Sequence, residues 1–274
     1  MVLLVRPDSD RAASDRITPS HPPRFSHVAV LVLENHDFGS AVGKGSSPYI
    51  SGLAGRAALA TRYYAVSHPS LPNYLALTAG STFGISRDCH CRVQARSLFD
   101  QLSAAGISWR AYFEPGSKRV NPFLHYRGGA GTAGSSRVVG FPRLREDIRA
   151  KRLPRFLWVG LNLCHDGHSC STRTSDHYLS GLVPALLPAL GPRGVLFVTW
   201  DEGTTRAGAG LTPGGGHVAL IAAGGGTRPG ARSARPASHY TLLRTIEDAF
   251  GLPPLRRAAA ASPRPLAPLL RSGA

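Results

Sequence analysis

The residues best suited to chemistry lie in the turn formed by residues 67–74, Ser-His-Pro-Ser-Leu-Pro-Asn-Tyr. The turn follows a strand-like run at 60–66 and precedes an apolar run with helical character that ends at Gly80. A hydroxyl at such a junction lies beside free backbone N–H groups and the positive end of a helix, where a phosphate oxygen binds well. Ser70 is therefore a candidate nucleophile, although a serine next to proline is more often a plain N-cap or turn residue.

Acidic and amide side chains follow two other apolar runs. Glu34 and Asn35 come directly after the run at 28–33, and Asp201 and Glu202 follow the run at 194–200. Ligands in open α/β sheets gather beyond the carboxyl ends of the strands, although Glu34 and Asn35 could also cap the next helix. Adjacent carboxylates repel one another unless protons or a cation hold them, so a bound metal is the simplest explanation.

Histidines form a third candidate group. His165, Asp166 and His168 lie just past the strand-like run at 155–161, and His217 follows a glycine-rich segment. This density favours metal ligation or proton transfer near neutral pH over simple exposure. Together, the oxygen ligands, the hydroxyl and the histidines are the equipment of metal-assisted phosphoryl transfer.

The elements that must position these residues alternate between strands and helices. Unbroken β-branched and aliphatic runs indicate strands that are buried on both faces, as in a parallel sheet. The pattern predicts strands at 28–33, 60–66, 107–114, 155–161, 194–200 and 216–224, and helices at 49–59, 97–106, 143–152, 176–190 and 239–252. We therefore expect an α/β fold with a largely parallel central sheet and helices on both faces.

The domain prediction follows from composition along the chain. At 274 residues and 42% hydrophobic content, the chain can bury one substantial core. Residues 1–26 are polar and proline-punctuated, which predicts a flexible arm, and the Pro/Arg/Ala-rich residues 253–274 predict a flexible tail. The catalytic domain is then 27–252.

The formal net charge of +16 raises the alternative of a non-catalytic binder of polyanions or nucleic acid. Lysine occurs only at positions 44, 118 and 151, and arginine is scattered through every segment, which indicates a compositional bias more than a basic arm. The aromatic and basic interleaving of a single-strand binding surface is absent from the sequence. We therefore expect small phosphorylated partners and no specific nucleic acid.

The chain as written begins with an apolar run too short for an export signal, and no stretch is long enough to span a bilayer. Two close cysteine pairs could be disulfides or free thiols, and their spacing matches no common zinc ribbon. Because a Cys-x-Cys bridge is strained, the spacing favours Cys164 with Cys170 over Cys89 with Cys91. The oligomeric state stays open.

Five segments in register resemble the phosphoesterase family, which contains bacterial phospholipases C and certain acid phosphatases within the alkaline phosphatase superfamily. They are Val-Leu-Glu-Asn at 32–35, the turn at 67–74, Asn-Leu-Cys-His-Asp-Gly-His-Ser-Cys at 162–170, Thr-Trp-Asp-Glu-Gly at 199–203, and residues 239–248. The resemblance runs from about residue 27 to 252 and implies the three-layer sandwich of the alkaline phosphatase fold.

Carried over, the resemblance implies a metal site and a phosphoryl site. The metal ligands would be Glu34, Asn35, Asp201 and Glu202, together with the Ser70 oxygen. The phosphoryl group or leaving oxygen would be contacted by Asn73, His165, His168 and His217. Oxygen ligands suit Mg, Ca or Mn and histidines suit Zn, so spacing does not decide the metal.

Three further points accompany the resemblance. His239 could belong to the site or secure the last helix against the sheet. Family members often carry His-Asn-Pro where this chain has Val120-Asn121-Pro122, so a histidine expected near the site is missing, and His125 is not an obvious substitute. The family is commonly exported, in contrast to the absence of a signal in the chain as written.

The sequence therefore predicts a metal-dependent phosphomonoesterase, similar to acid phosphatases, that acts through a phosphoseryl intermediate. The nearer alternative is a phospholipase C or another phosphodiesterase on the same scaffold.

Overall fold

The chain folds around a nine-stranded sheet in a computed structural model that describes residues 25–43, 45–117, 121–208, 214–262 and 266–271. The strands are β1 (Val28–Leu33), β2 (Ala58–Tyr64), β3 (Trp109–Phe113), β4 (Val138–Gly140), β5 (Phe156–Gly160), β6 (Val195–Trp200), β7 (His217–Ala223), β8 (Arg232–Ser233) and β9 (Ala237–Ser238). The helices are α1 (Phe38–Ala41), α2 (Pro48–Arg56), α3 (Ser70–Ala79), α4 (Leu98–Ala104), α5 (Phe141–Arg149), α6 (Thr172–Ala189), α7 (His239–Phe250) and α8 (Arg257–Ala260).

The sheet has the order β4-β3-β5-β1-β6-β7-β2-β8, with β9 also paired to β2. All pairs are parallel except those of β7, which runs antiparallel to both β6 and β2. Two reversals restore the direction, so β2 ends at the same edge as β1 and β6. The antiparallel β7 begins at that edge, which is why His217 lies there.

The central strands are buried along their whole length. Every residue of β1, β5 and β6 is buried, which requires cover on both faces of the sheet. That cover comes from helices, among which α2 packs on α6 and α3 packs on α7. The predicted α/β class, the largely parallel sheet and the three-layer arrangement are confirmed.

The C-terminal residues pack against this body. Leu255, Leu266, Leu269 and Leu270 are buried in the main core. Gly80, at the end of α3, has φ +69°, and a Cβ there would lie 2.3 Å from the Leu255 carbonyl oxygen, so only glycine allows this approach. The prediction of a flexible tail from residue 253 is therefore contradicted by the described residues. Leucines spaced irregularly along this proline-rich segment are buried in the core.

Of the flexible arm predicted at residues 1–26, the structure describes only residues 25 and 26. Phe25 is buried in the core, so the folded part includes at least one residue of the predicted arm, and residues 1–24 lie outside the described residues. Both cysteine pairs form disulfides, the favoured Cys164–Cys170 and also Cys89–Cys91. No helix in the described part of the chain has the length and apolarity needed to cross a bilayer.

A buried carboxyl group ties α7 to the C-terminal segment. Glu247 accepts a hydrogen bond from the Leu255 backbone N–H at 2.8 Å, and its other oxygen has no partner among the described residues. Burial raises the pKa of Glu247 from 4.5 to about 8. The folded protein therefore holds this proton more tightly than the unfolded chain does, and its stabilising contribution is lost as pH rises from about 4.5 through about 8.

We expect Glu247→Gln to reduce this pH dependence. Glutamine reproduces the protonated acid, so wild type and variant should have similar free energies of unfolding near pH 4.5. The variant should be more stable than wild type near pH 8, since each pKa unit corresponds to about 1.4 kcal/mol. Urea unfolding at both pH values measures the difference, and an equal offset at both would contradict a titrating Glu247.

Candidate active site

The acidic residues Glu34 and Asp201 come directly after the ends of two neighbouring parallel strands, β1 and β6. Leu33 of β1 and Trp200 of β6 are in register, and the Asp201 N–H donates to the Leu33 carbonyl at 2.8 Å. Asn35 has φ +57°, a left-handed conformation that asparagine tolerates better than most residues. Its N–H then points to Oδ1 of Asp201 at 3.1 Å. Glu34 and Asp201 are thus brought together by backbone geometry.

Ser70 is the first residue of α3, and its hydroxyl lies between two carboxylates. Its Oγ is 3.1 Å from Oε2 of Glu34 and 3.3 Å from Oε1 of Glu202. Because a hydroxyl has one proton, it can donate to only one of them at a time. The arrangement gives Ser70 two candidate proton acceptors, as a nucleophilic hydroxyl requires.

The carboxylates are crowded enough to resist ionisation. Burial and the neighbouring Asp201 charge raise the pKa of Glu34 well above its ordinary value, although the Tyr74 hydroxyl donates to it at 2.5 Å. Burial and the Glu202 charge raise the pKa of Asp201 to about 8. Burial also raises the pKa of Glu202, and His68 opposes this effect. Near neutral pH this edge therefore retains protons unless a cation is bound.

The fit of this edge to a metal ion rests on its donor atoms. Oδ2 of Asp201 is buried and has no hydrogen-bond partner among the described residues, and carboxylate, amide and hydroxyl oxygens are the ligands of hard divalent cations. No group of three or more His, Cys, Asp or Glu side chains within the described ranges is arranged to hold a metal by itself. The predicted ligands Glu34, Asn35, Asp201 and Glu202 thus have the right chemistry but no preformed cage.

Asn73 holds the loop that leads to Ser70. Its side-chain oxygen accepts the N–H groups of Val66 and Ser67, at 2.9 and 3.1 Å. Its amide donates to the carbonyls of Ser67 and Pro69, at 2.8 and 3.1 Å. The side chain is fully buried and both amide protons are used, so the predicted contact with the phosphoryl group is not met. Asn73 positions the nucleophile instead.

His68 is a residue to which the sequence analysis gave no role. Its Nδ1 makes a short contact with Oε2 of Glu202, and its Nε2 lies 2.7 Å from the Thr205 carbonyl. The ring therefore connects the Ser70 loop to the loop after β6 and orients Glu202. The only sequence feature that could have indicated a role for His68 is its position in the turn, two residues before Ser70.

The predicted histidines are separated by the fold. Nδ1 of His165 lies 2.9 Å from Oε2 of the buried Glu114, and its ring stacks on Tyr178 at 3.8 Å. His168 is held by its N–H bond to Oδ1 of Asp166 at 2.8 Å, and it reaches the cavity that contains Ser70. His165 does not line that cavity, although its pairing with a carboxylate is typical of an oriented proton carrier.

His217 and His239 have structural partners. Nε2 of His217 lies 2.8 Å from the Thr61 carbonyl, and its ring stacks on Phe38 at 4.8 Å. It does not line the cavity with Ser70, so the structure does not bring it to the site as predicted. His239 is fully buried, with Nε2 2.6 Å from the Asp201 carbonyl and Nδ1 3.0 Å from the Tyr63 hydroxyl. Burial lowers the pKa of His239 to about 4, so the imidazole is neutral near pH 7. Of the two roles considered for His239, its contacts fit the one in which it secures α7 against the sheet.

A cavity of about 370 Å3 opens beside the nucleophile. Ser70, Leu71, Glu34 and His168 contribute to its lining. The remaining lining residues come from two segments that had no predicted role in the site, and they are Asp88, Cys89, His90, Arg92, Leu124 and His125. The volume is within the range of small-molecule sites. Val120, at the departure from the family pattern, lies outside the described residues.

The fold is that of the alkaline phosphatase superfamily. A protein of this superfamily from Vibrio parahaemolyticus matches with a TM-score of 0.62 and 15% identity over 85% of this chain and 69% of that one. Murine ectonucleotide pyrophosphatase/phosphodiesterase 5 matches with a TM-score of 0.61 and 13% identity over 90% of this chain and all of the other. At these identities the likeness shows the fold alone.

The sequence comparisons narrow the class. The phosphoesterase family matches residues 44–253, and the chain belongs to this family of hydrolases that act on phosphoric ester bonds. A phosphatidylinositol-3-phosphatase from Mycobacterium tuberculosis is 30% identical over 88% of this chain and 82% of its own length. An acid phosphatase from Penicillium chrysogenum is 25% identical over 85% of this chain, which spans 61% of that protein.

We expect Asn73→Ala to lower both stability and activity. Four hydrogen bonds to the Ser70 loop are lost, which should reduce the free energy of unfolding by about 2 to 4 kcal/mol. Thr78→Ala is the matched control, since Thr78 is a buried residue of α3 that bonds Tyr74 and Tyr126 and not the loop. Urea unfolding and turnover per folded molecule separate the effects. Full stability with lost activity in Asn73→Ala would instead indicate a direct phosphoryl contact.

Proposed function

We propose that the chain is a metal-dependent phosphomonoesterase, similar to the acid phosphatases, that acts through a phosphoseryl intermediate on Ser70. The observation that carries the proposal is the position of the Ser70 hydroxyl, which lies within hydrogen-bond distance of two carboxylates on the wall of a ligand-sized cavity. The relatives named phosphatases support a monoester substrate.

The first step is attack of Ser70 Oγ on phosphorus, in line with the leaving oxygen. The carboxylate of Glu34 or of Glu202, each within hydrogen-bond distance of the Ser70 hydroxyl, accepts the hydroxyl proton. The bond between phosphorus and the leaving oxygen breaks, and the alcohol takes a proton from His168 on the cavity wall. Asn73 and His68 hold the loop and Glu202 in place.

The second step is hydrolysis of the phosphoserine. A water molecule attacks phosphorus from the side that the alcohol has left, the neutral His168 accepts its proton, and the bond to Ser70 Oγ breaks. Ser70 recovers its proton from the carboxyl group that accepted it, and inorganic phosphate leaves. A divalent cation (Mg, Ca, Mn or Zn) held by Glu34, Asn35, Asp201 and Glu202 would supply positive charge that stabilises the ionised serine and the phosphoryl oxygens.

We expect Ser70→Ala to lose at least 1,000-fold in turnover of an aryl phosphomonoester, because the attacking oxygen is gone. The assay is run after chelation and again after adding back each of the four metals singly. Ser67→Ala is the matched control, since this serine lies in the same loop and its hydroxyl bonds the His68 carbonyl. Metal binding by Ser70→Ala, measured calorimetrically, should persist.

Two outcomes would contradict the proposal. Near wild-type turnover in Ser70→Ala would require another nucleophile, and full activity after exhaustive chelation would remove the metal. Faster hydrolysis of the corresponding choline diester than of the monoester would favour the phospholipase C or diesterase reading.

A further inference from the structure

The loop of residues 87–92 contributes to the lining of the cavity that contains Ser70, and its backbone is fixed at both ends. The Cys89–Cys91 disulfide closes it, and Oδ1 of Asp88 accepts the Leu71 N–H at 3.0 Å, next to the nucleophile. On the other side of the bridge, Nδ1 of His125 lies 2.9 Å from the Cys91 carbonyl. The loop backbone is therefore fixed both to the start of α3 and to the segment that carries His125.

The second anchor lies one residue beyond Arg92. Val93 and Tyr126 form a parallel bridge, in which the Val93 N–H donates to the His125 carbonyl at 2.8 Å and the Val93 carbonyl accepts the Arg127 N–H at 2.9 Å. Val93 also packs against the small apolar cluster of α3 and Tyr126. Arg92 thus stands between a disulfide and a bridge, with a fixed backbone and a side chain on the cavity wall.

Arg92 is an exposed residue that lines the cavity, and its guanidinium has no ion pair or hydrogen bond among the described residues. Arg110 and Arg143, by contrast, both pair with Asp147. His90 and His125 also line this cavity. Asp88 is the acid nearest in sequence, and one of its oxygens is already occupied by Leu71. A guanidinium held on a cavity wall without a partner is suited to binding an anionic group bidentately.

We propose that Arg92 recognises a second anionic group on the alcohol part of the substrate, so that the preferred substrates are phosphomonoesters that carry another phosphate. The inference rests on the proposed function, which places the scissile phosphate at Ser70. Arg92 acts in this account as a specificity residue and takes no part in bond breaking.

The test compares propyl phosphate with a series of alkanediol bisphosphates of increasing chain length, in the metal-loaded full chain. We expect kcat/KM for the best bisphosphate to exceed that for propyl phosphate at least tenfold, after correction for its two equivalent ends. In Arg92→Gln the preference, measured as the ratio of the two kcat/KM values, should fall to about twofold. A carboxylate analogue, an ω-carboxyalkyl phosphate, tests whether any anion suffices.

Arg87→Gln is the matched control, because Arg87 is an exposed arginine in the same loop that does not line the cavity. It removes the same charge and should leave the preference unchanged. An equal loss of preference in Arg87→Gln would reduce the effect to long-range charge and overturn the proposal, as would a wild type that does not distinguish the two substrates. If wild type hydrolyses neither, the proposed function fails, and calorimetric affinities decide the role of Arg92: tighter bisphosphate binding that Arg92→Gln abolishes supports it, and equal binding overturns it.

Discussion

The burial of three carboxyl groups at one sheet edge is the constraint on which the site depends. Glu34, Asp201 and Glu202 are all buried, with 1%, 0% and 6% of their surface exposed. Each raises the cost of ionising the others, and the Tyr74, Asn35 and His68 bonds offset only part of that cost. This sheet edge is stable when protons are bound to the carboxyl groups, or when a cation takes their place. The Ser70 hydroxyl lies within hydrogen-bond distance of two of these carboxyl groups, those of Glu34 and Glu202. The same repulsion that makes the site costly to fold thus supplies a base for the nucleophile and a place for positive charge.

The topology is what makes this crowding unavoidable. β1 and β6 are parallel neighbours, so the residues that follow them emerge side by side. The antiparallel β7 lies between β6 and β2 and returns β2 to the same direction, which brings the Ser70 loop to the same edge. Asn73 then fixes that loop through four hydrogen bonds to its backbone. The buried His239 makes a hydrogen bond to the Asp201 carbonyl.

Much of this could be predicted from the sequence because buried strands have a strong local signal. The apolar runs identified the six long strands and the principal helices to within a few residues. Polar residues at strand ends pointed to Glu34, Asp201 and Ser70, which the fold brings to one sheet edge. The direction of a side chain has no such signal. The family resemblance implied that Asn73 and His217 belong to the site, whereas the fold turns Asn73 into the loop and stacks His217 on Phe38. The cavity wall at Arg92 was missed because its loop has no periodicity, and the tail was misread because composition does not reveal which leucines become buried.

Ser70 is proposed to carry the phosphoryl group between substrate and water, and acid quenching during turnover detects the phosphorylated residue itself. The metal-loaded enzyme is mixed with a large excess of an aryl phosphomonoester, quenched in acid and digested, and the peptides are sequenced by mass spectrometry. We expect a peptide with one added phosphate at Ser70, absent in Ser70→Ala and lost after a chase without substrate. Phosphate on another residue, or rapid turnover with no phosphorylated peptide at any quench time, would contradict it.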